Sequence, residues 1–90
     1  MADTIRGPVT SIVDGDTFNI KVTHTGKENK EKYNNNERIR IAEIDAPELN
    51  TPAGRRSKEQ LEKKLSGKEV RCYVQARDTY SRIVAKVKIL

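Results

Sequence analysis

TPAGRRSKEQLEKKLSG, residues Thr51–Gly67, is the stretch that decides the fold. Thr51 suits the N-cap of a helix, Pro52 its first position and Gly67 a left-handed stop, which predicts a helix from Pro52 to Ser66. Leu61 and Leu65 stand four residues apart, and Ala53 and Ser57 extend their stripe. The opposite face carries Arg55, Arg56, Lys58, Lys63 and Lys64. That face would meet nucleic acid, although most such faces are simply solvated.

On both sides of this helix the apolar period drops to two, the signature of half-buried strands. Upstream, Val9–Val13 reads as a first strand, and Asp14-Gly15 is a strong hairpin signal. Thr17–Thr23 is the second strand, with Phe18, Ile20 and Val22 on one face. His24–Asn36, HTGKENKEKYNNN, reads as a long, mobile hairpin connection. Its Tyr33 would either stack on a base or cover the barrel edge. Glu37–Ile44 is the third strand, with Ile39 and Ile41 on one face and Arg40 and Ala42 on the other, ending before Pro47. Downstream, Lys68–Gln75 forms a fourth strand and Arg82–Leu90 a fifth, on which Ile83, Ala85, Val87 and Ile89 face one way. Three strands, a helix and two strands is the order of an OB-fold, a mainly β, five-stranded barrel with its helix between strands three and four.

Ninety residues make one domain, 1–90. Hydrophobic and charged residues each make up 34% of it, so the core is small and each apolar strand position matters. The 18 Lys and Arg exceed the 13 Asp and Glu, for a net charge of +5, and favour an anionic partner such as nucleic acid. No apolar run is long enough to span a membrane, and the N-terminus MADTIRGPV lacks an apolar signal core. The single Cys72 alternates with Val70 and Val74 as a buried structural thiol would. The lone His24, without a second histidine or a cysteine nearby, gives a zinc site no support.

Against this basic background, two acidic stretches stand out: DGDT at Asp14–Thr17 and IDAPE at Ile44–Glu48. Acids held at strand ends in a basic protein suggest a hard cation bridging to phosphate. An EF-hand reading of DGDT fails, because its third ligand position falls on Phe18, its glycine position on Asn19 and its final glutamate position on Thr25. The partners of Asp14 and Asp16 must therefore lie elsewhere, and IDAPE is the comparable cluster. In a barrel, Asp16 at the start of the second strand would meet Asp45 at the end of the third, and two carboxylates with one carbonyl make an open cation site. Glu48, beyond Pro47, is placed to take a proton from an attacking water. Phosphodiester hydrolysis also needs cations for the charge that builds on phosphoryl oxygens, and the planar forks of Arg40 and Arg82 suit that task.

VDGDTF at 13–18, RIRIAEIDAPE at 38–48, the helix with Leu61, Leu65 and Gly67, and DTYSR at 78–82 together resemble the staphylococcal nuclease (thermonuclease) family. Each motif alone is weak, but in this order and at these spacings they are highly specific. The resemblance covers nearly the whole chain. It implies an OB-fold that uses calcium to hydrolyse DNA and RNA, with single strands favoured and a monomer acting alone. It further implies that Asp16 and Asp45 bind calcium through carboxylates and Ala46 through its carbonyl, with Asp14 behind them. Glu48 would be the general base, Arg40 and Arg82 the phosphate clamp, and Tyr80 a contact to a nucleotide phosphate. Secreted or membrane-attached parents are common in such a family. The chain departs from the family in three places, the first being Ala46 in place of a threonine, which costs little because only its carbonyl is needed. Ser81 stands where glycine is usual, and would be strained if the position needs a left-handed backbone. The chain also stops at KVKIL, without the family's C-terminal helices.

Two other readings remain at the level of sequence. One is a non-catalytic OB barrel that grips single-stranded nucleic acid, against which stand the clustered acids and the sparse aromatics, three Tyr and one Phe. The other is a scaffold for a protein partner, against which stands the retention of Asp16, Arg40, Asp45, Glu48 and Arg82.

Overall fold

The computed structural model describes residues 2–90. Its first strand, β1, runs over Asp3–Asp14 and starts six residues earlier than the sequence pattern predicts. Ile5 and Gly7 alternate inward against Thr4 and Arg6, which extends the period-two pattern through Gly7-Pro8. β1 serves two neighbours. Its first half, Asp3–Pro8, pairs with β5 (Glu69–Arg77), and its second half, Val9–Asp14, pairs with β2 (Thr17–Lys21). Register shifts between Val9 and Ser11 and between Ile12 and Asp14 bend the strand, as bulges do, so that it closes the sheet on itself.

The remaining strands are β3 (His24–Thr25), β4 (Asn36–Ile41) and β6 (Ile83–Ile89). Going round, β1 neighbours β2, β2 neighbours β4, β4 runs parallel to β6, and β6 returns through β5 to β1. This is a closed five-stranded barrel with one helix, α1 (Pro52–Leu65), inserted between β4 and β5: the OB-fold arrangement. The short β3 lies outside the ring, paired to β1 at Ile5 and Arg6. Phe18, Ile20, Ile39, Val70, Cys72 and Ile83 fill the interior with no exposed surface, and Leu61 and Leu65 of α1 plug one end. Burial pushes the Cys72 thiol up to about 12, in keeping with an inert core residue.

Several details differ from the sequence-based expectation. The second strand ends at Lys21 and the third at Ile41, three residues before Ile44, because Glu43 takes a left-handed φ of 66° and turns the chain. Strand β5 continues to Arg77, and the buried helix stripe runs through Gly54, Leu61 and Leu65 while Ala53 is exposed. The polar connection after β2 is tied down rather than loose. Asn29 bonds both the N–H and the carbonyl of Thr4, and the Asp3 carboxylate accepts from Lys30 N, Glu31 N and the Tyr33 hydroxyl. Tyr33 therefore covers the barrel edge, and burial and its bond to Asp3 both raise its pKa.

A candidate metal and phosphate site at one end of the barrel

Three chain segments meet at one end of the barrel, the β1–β2 turn, the chain after β4 and the start of α1, and the β5–β6 turn stands beside them along the β4–β6 ladder. The first is the Asp14-Gly15-Asp16-Thr17 hairpin, closed by the Asp14–Thr17 pair. Neither Gly15 nor Asp16 has a positive φ, so the glycine is not there for a left-handed turn. It is there for space. A Cβ on Gly15 would lie 2.1 Å from Ser57 Oγ and 2.8 Å from Ala46 Cβ. The hairpin, the first turns of α1 and the chain after β4 are thus packed against one another at a single point.

The acids at that point are ordered by hydrogen bonds. Asp14 Oδ1 accepts Asp16 N at 3.1 Å, Asp16 Oδ1 accepts the Thr17 hydroxyl at 2.8 Å, and Asp16 Oδ2 accepts Ala46 N at 3.1 Å. Arg40 completes the cluster. Its Nη2 lies 3.5 Å from Asp16 Oδ2 and 2.5 Å from Asp45 Oδ1. Asp16 is 8% exposed, whereas the Asp45 side chain is 95% exposed, so one acid is built into the wall and the other projects into solvent. Burial raises the Asp16 carboxyl, but hydrogen bonds from Asp14, Ala46 N–H and Thr17, with the charge of Arg40, outweigh it and hold Asp16 below the usual carboxylate range. Asp14 is pushed up, first by its own burial and then by sharing a proton with Asp16 and by its charge.

Glu48 enters through its backbone. Its carbonyl accepts Thr51 N at 3.1 Å and the Thr51 hydroxyl at 2.6 Å, and the same hydroxyl caps α1 by accepting Gly54 N at 3.0 Å. Its exposed carboxylate makes no hydrogen bond or ion pair among the described residues. Arg82 comes from the β5–β6 turn. Asp78 Oδ1 accepts the N–H groups of Tyr80 and Arg82, and Asp78 Oδ2 accepts Arg82 Nε at 2.7 Å. The guanidinium carbon of Arg82 lies 5.2 Å from the Tyr80 ring centroid, a cation–π contact, and Tyr80 is 79% exposed. In the parallel β4–β6 ladder Arg40 faces Val84, so Arg82 stands two residues, roughly 7 Å of rise, along the neighbouring strand. Ser81 has a φ of 65°, the left-handed geometry in which serine is strained.

The structure thus gathers Asp14, Asp16, Arg40, Asp45 and Ala46 into direct contact and sets Glu48 and Arg82 on adjoining segments. No three His, Cys, Asp or Glu side chains converge as a metal cage among the described residues. The donor set nevertheless fits a hard cation held openly: two carboxylates already converge on one positive nitrogen, and the Ala46 carbonyl is adjacent in the chain. Two residues that position this end were missed at the sequence level. Glu37, almost fully buried, receives Arg77 through both oxygens at 3.2 and 3.1 Å, and Arg77 Nη1 also donates to the Ser81 carbonyl at 3.0 Å. A glutamate of the same parity as Ile39 and Ile41 was the available signal, because an inward-facing acid requires a partner.

Comparison with known proteins identifies the family. Residues 38–90 match the family described as Staphylococcal nuclease homologue. The chain is 39% identical over 102 residues to a probable endonuclease LCL3 of Arthroderma otae, covering 93% of this chain and 36% of that protein. It is 36% identical over 106 residues to the corresponding Emericella nidulans protein, covering 96% and 38%. A probable staphylococcal-like nuclease CAN3 of rice, Oryza sativa subsp. japonica, is 46% identical over 50 residues, covering 56% of this chain and 13% of that protein. The chain spans little more than a third of the length of the LCL3 relatives.

Proposed function

The chain belongs to the staphylococcal nuclease homologue family, and on that premise we propose that this barrel end hydrolyses phosphodiester bonds of DNA or RNA with calcium as cofactor. The observation that carries the proposal is the convergence of Asp16 and Asp45 on one nitrogen of Arg40. Two acids from neighbouring elements, aimed at one point in a basic protein, mark a place that requires positive charge. The names of the relatives, probable endonucleases and a staphylococcal-like nuclease, support a nuclease.

Asp16, Asp45 and the Ala46 carbonyl would hold calcium, with water and a substrate phosphate completing the shell, while Asp14 orients Asp16 through its backbone N–H. When bound, the ion supplies charge for the phosphoryl oxygens. Glu48 takes the proton of the attacking water, its main chain held by the cap of α1. Arg40 and Arg82 donate to the phosphoryl oxygens, where a planar guanidinium is worth more in the transition state than in the ground state. Arg40 must turn from the carboxylates to do so. Tyr80, exposed beside Arg82, contacts a neighbouring phosphate. Such an open site suits a single strand and a monomer.

The test is Glu48→Gln, assayed by calcium-dependent cleavage of single-stranded DNA and RNA alongside nucleotide binding. Binding is retained and the cleavage rate falls by about 10²–10⁴. Unchanged single-turnover cleavage removes Glu48 from the mechanism, and cleavage that ignores calcium removes the cofactor.

A further inference from the structure

Away from the candidate site, the outer wall of the barrel carries a row of basic side chains set by strand register. His24 faces Arg6 across β3–β1, Arg6 faces Arg71 across β1–β5, and Arg71 faces Lys88 across β5–β6. In the next row Tyr73 faces Lys86. All lie on the outer face, since the residues between them, Ile5, Val70, Cys72 and Ala85, are buried. Along β6 the same outward parity holds for Lys88 and Lys86 and, just before the strand, for Arg82. Positive charge, interrupted at Val84, therefore leads from Arg82 to the far end of the sheet. At about 3.3 Å per residue this stretch is roughly 20 Å long, and the cross-strand row adds roughly 10 Å from Lys88 to Arg6.

Like charges directly opposite one another in a sheet are destabilising. Arg6, Arg71 and Lys88 occupy three consecutive opposed positions, with Glu69 the carboxylate beside them, its Oε2 at 3.2 Å from Arg6 Nε. That contact is poorly aligned: Arg6 Nε is buried and makes no hydrogen bond. The His24 ring nitrogens lie 3.2 and 3.1 Å from Arg6 Nη2. Between these side chains is a cavity of about 180 Å³, lined by Thr4, Arg6, His24, Thr25 and Arg71. It is a recess with donors from three strands, in which Glu69 offsets only part of the positive charge.

We propose that this face is a second binding surface for the phosphates of a single-stranded nucleic acid, a track that leaves Arg82 along Lys86 and Lys88 and turns across Arg71 and Arg6. Tyr73, partly exposed beside Lys86, offers a face on which a base stacks. The proposal rests on the nucleic-acid reading of the site for its ligand class and goes beyond it in assigning residues remote from the chemistry. The length of the track accommodates several nucleotides, within the roughly 4–16 that one OB barrel engages.

The experiment measures binding of fluorescent single-stranded oligonucleotides, a trimer and a 12-mer, in EDTA over a range of salt, for the parent chain and for an Arg71→Ala/Lys88→Ala variant. Without calcium no cleavage is read, so failure of the catalytic reading at Glu48 leaves this result interpretable. For the 12-mer, the variant loses about 1.4 from the slope of log affinity against log salt, roughly 0.7 for each phosphate contact removed. Its affinity at low salt falls several-fold, while trimer binding is unchanged. Far-ultraviolet circular dichroism and melting temperature stay at parent values. A 12-mer slope equal to the parent's overturns the proposal. So does an equal loss for the trimer and the 12-mer.

Discussion

Replacing Gly54 by alanine tests how α1 is seated on the segment that carries Glu48. In an ordinary helix this change stabilises by about 0.5–1 kcal/mol, because alanine restricts the unfolded chain and has the better propensity. Here a Cβ would stand 1.9 Å from the Glu48 carbonyl oxygen, 2.5 Å from its carbon and 2.9 Å from the Pro47 oxygen. Favourable contacts between such atoms begin near 3.5 Å, and the obstacle is backbone, which no rotamer change relieves. Helix and loop must part by more than about 1 Å. That also disturbs the Thr51 bonds to Glu48 O and the cap from Thr51 to Gly54. Overpacking of this kind costs about 1–3 kcal/mol and a weakened cap up to about 1 more, which exceeds the propensity gain. We expect Gly54→Ala to lose about 1–2 kcal/mol net, lowering Tm by about 4–8 °C for each kcal/mol in a domain of this size. Thermal and urea unfolding followed by circular dichroism measure it, with Glu59→Ala on the exposed face as a control within about 0.5 kcal/mol. A Gly54→Ala protein that melts at or above the parent refutes the seating of the helix on Pro47-Glu48 and, with it, the placement of Glu48.

Arg77→Gln leaves the Glu37 carboxylate buried with only Asn34 N–H as partner; because the Arg77 side chain is 31% exposed, the expected loss is about 1–3 kcal/mol, less than for a fully buried pair, and an unchanged urea midpoint contradicts it. Asp14→Asn tests the sign of a pKa shift. Asp14's carboxyl is raised in the folded state, so its ionised form is a liability at neutral pH, and the variant is more stable there; the gain shrinks as pH falls through the raised value and vanishes below the ordinary carboxylate range, as urea titrations at several pH values would show. Asp16 runs the other way: its lowered pKa gives stability that is present above the ordinary carboxylate range and lost as pH falls through the folded value. Asp45→Ala, at a side chain 95% exposed, leaves Tm nearly unchanged but removes most calcium binding in calorimetry; parent-like affinity would take Asp45 out of the proposed metal site.

How much of the fold was legible depends on range. The helix was read to within a residue because its signals are local: Thr51 caps it, Pro52 opens it and Gly67, at φ +74°, ends it. Strands β2, β4, β5 and β6 followed from alternation, and their order around one helix implied the barrel. The errors lie where alternation is not the deciding force. Gly7-Pro8 interrupts the apolar pattern, yet β1 continues through it because closure needs one strand long enough to pair on both sides. Strand β4 stops at Ile41, three residues short of the expected Ile44, because Glu43 adopts a left-handed turn that no propensity favours. The loop after β2 reads as mobile from composition alone. Its anchors, Asp3 and Asn29, are contacts more than two dozen residues apart, and a single sequence does not announce such pairs.

The residues of the candidate site stand out in the sequence, whereas their ion pairs do not. The sequence assigns Arg40 to phosphate and leaves Glu37 without a partner. The structure gives Glu37 to Arg77 and sets Arg40 between Asp16 and Asp45. Both results follow from the same electrostatic demand. Glu37 faces inward, where an acid without a partner is costly, so it takes the cation that the β5 terminus brings within reach. Asp16 is nearly buried and Asp14 lies beside it, so that corner concentrates negative charge and attracts the nearest guanidinium on the adjoining strand. An arginine bound there neutralises the acids but does not saturate them: Asp45 remains almost wholly in solvent. The pairing is therefore easy to exchange, and the residue proposed to meet the phosphate is stored within reach of it, a few ångströms from the acids that it leaves.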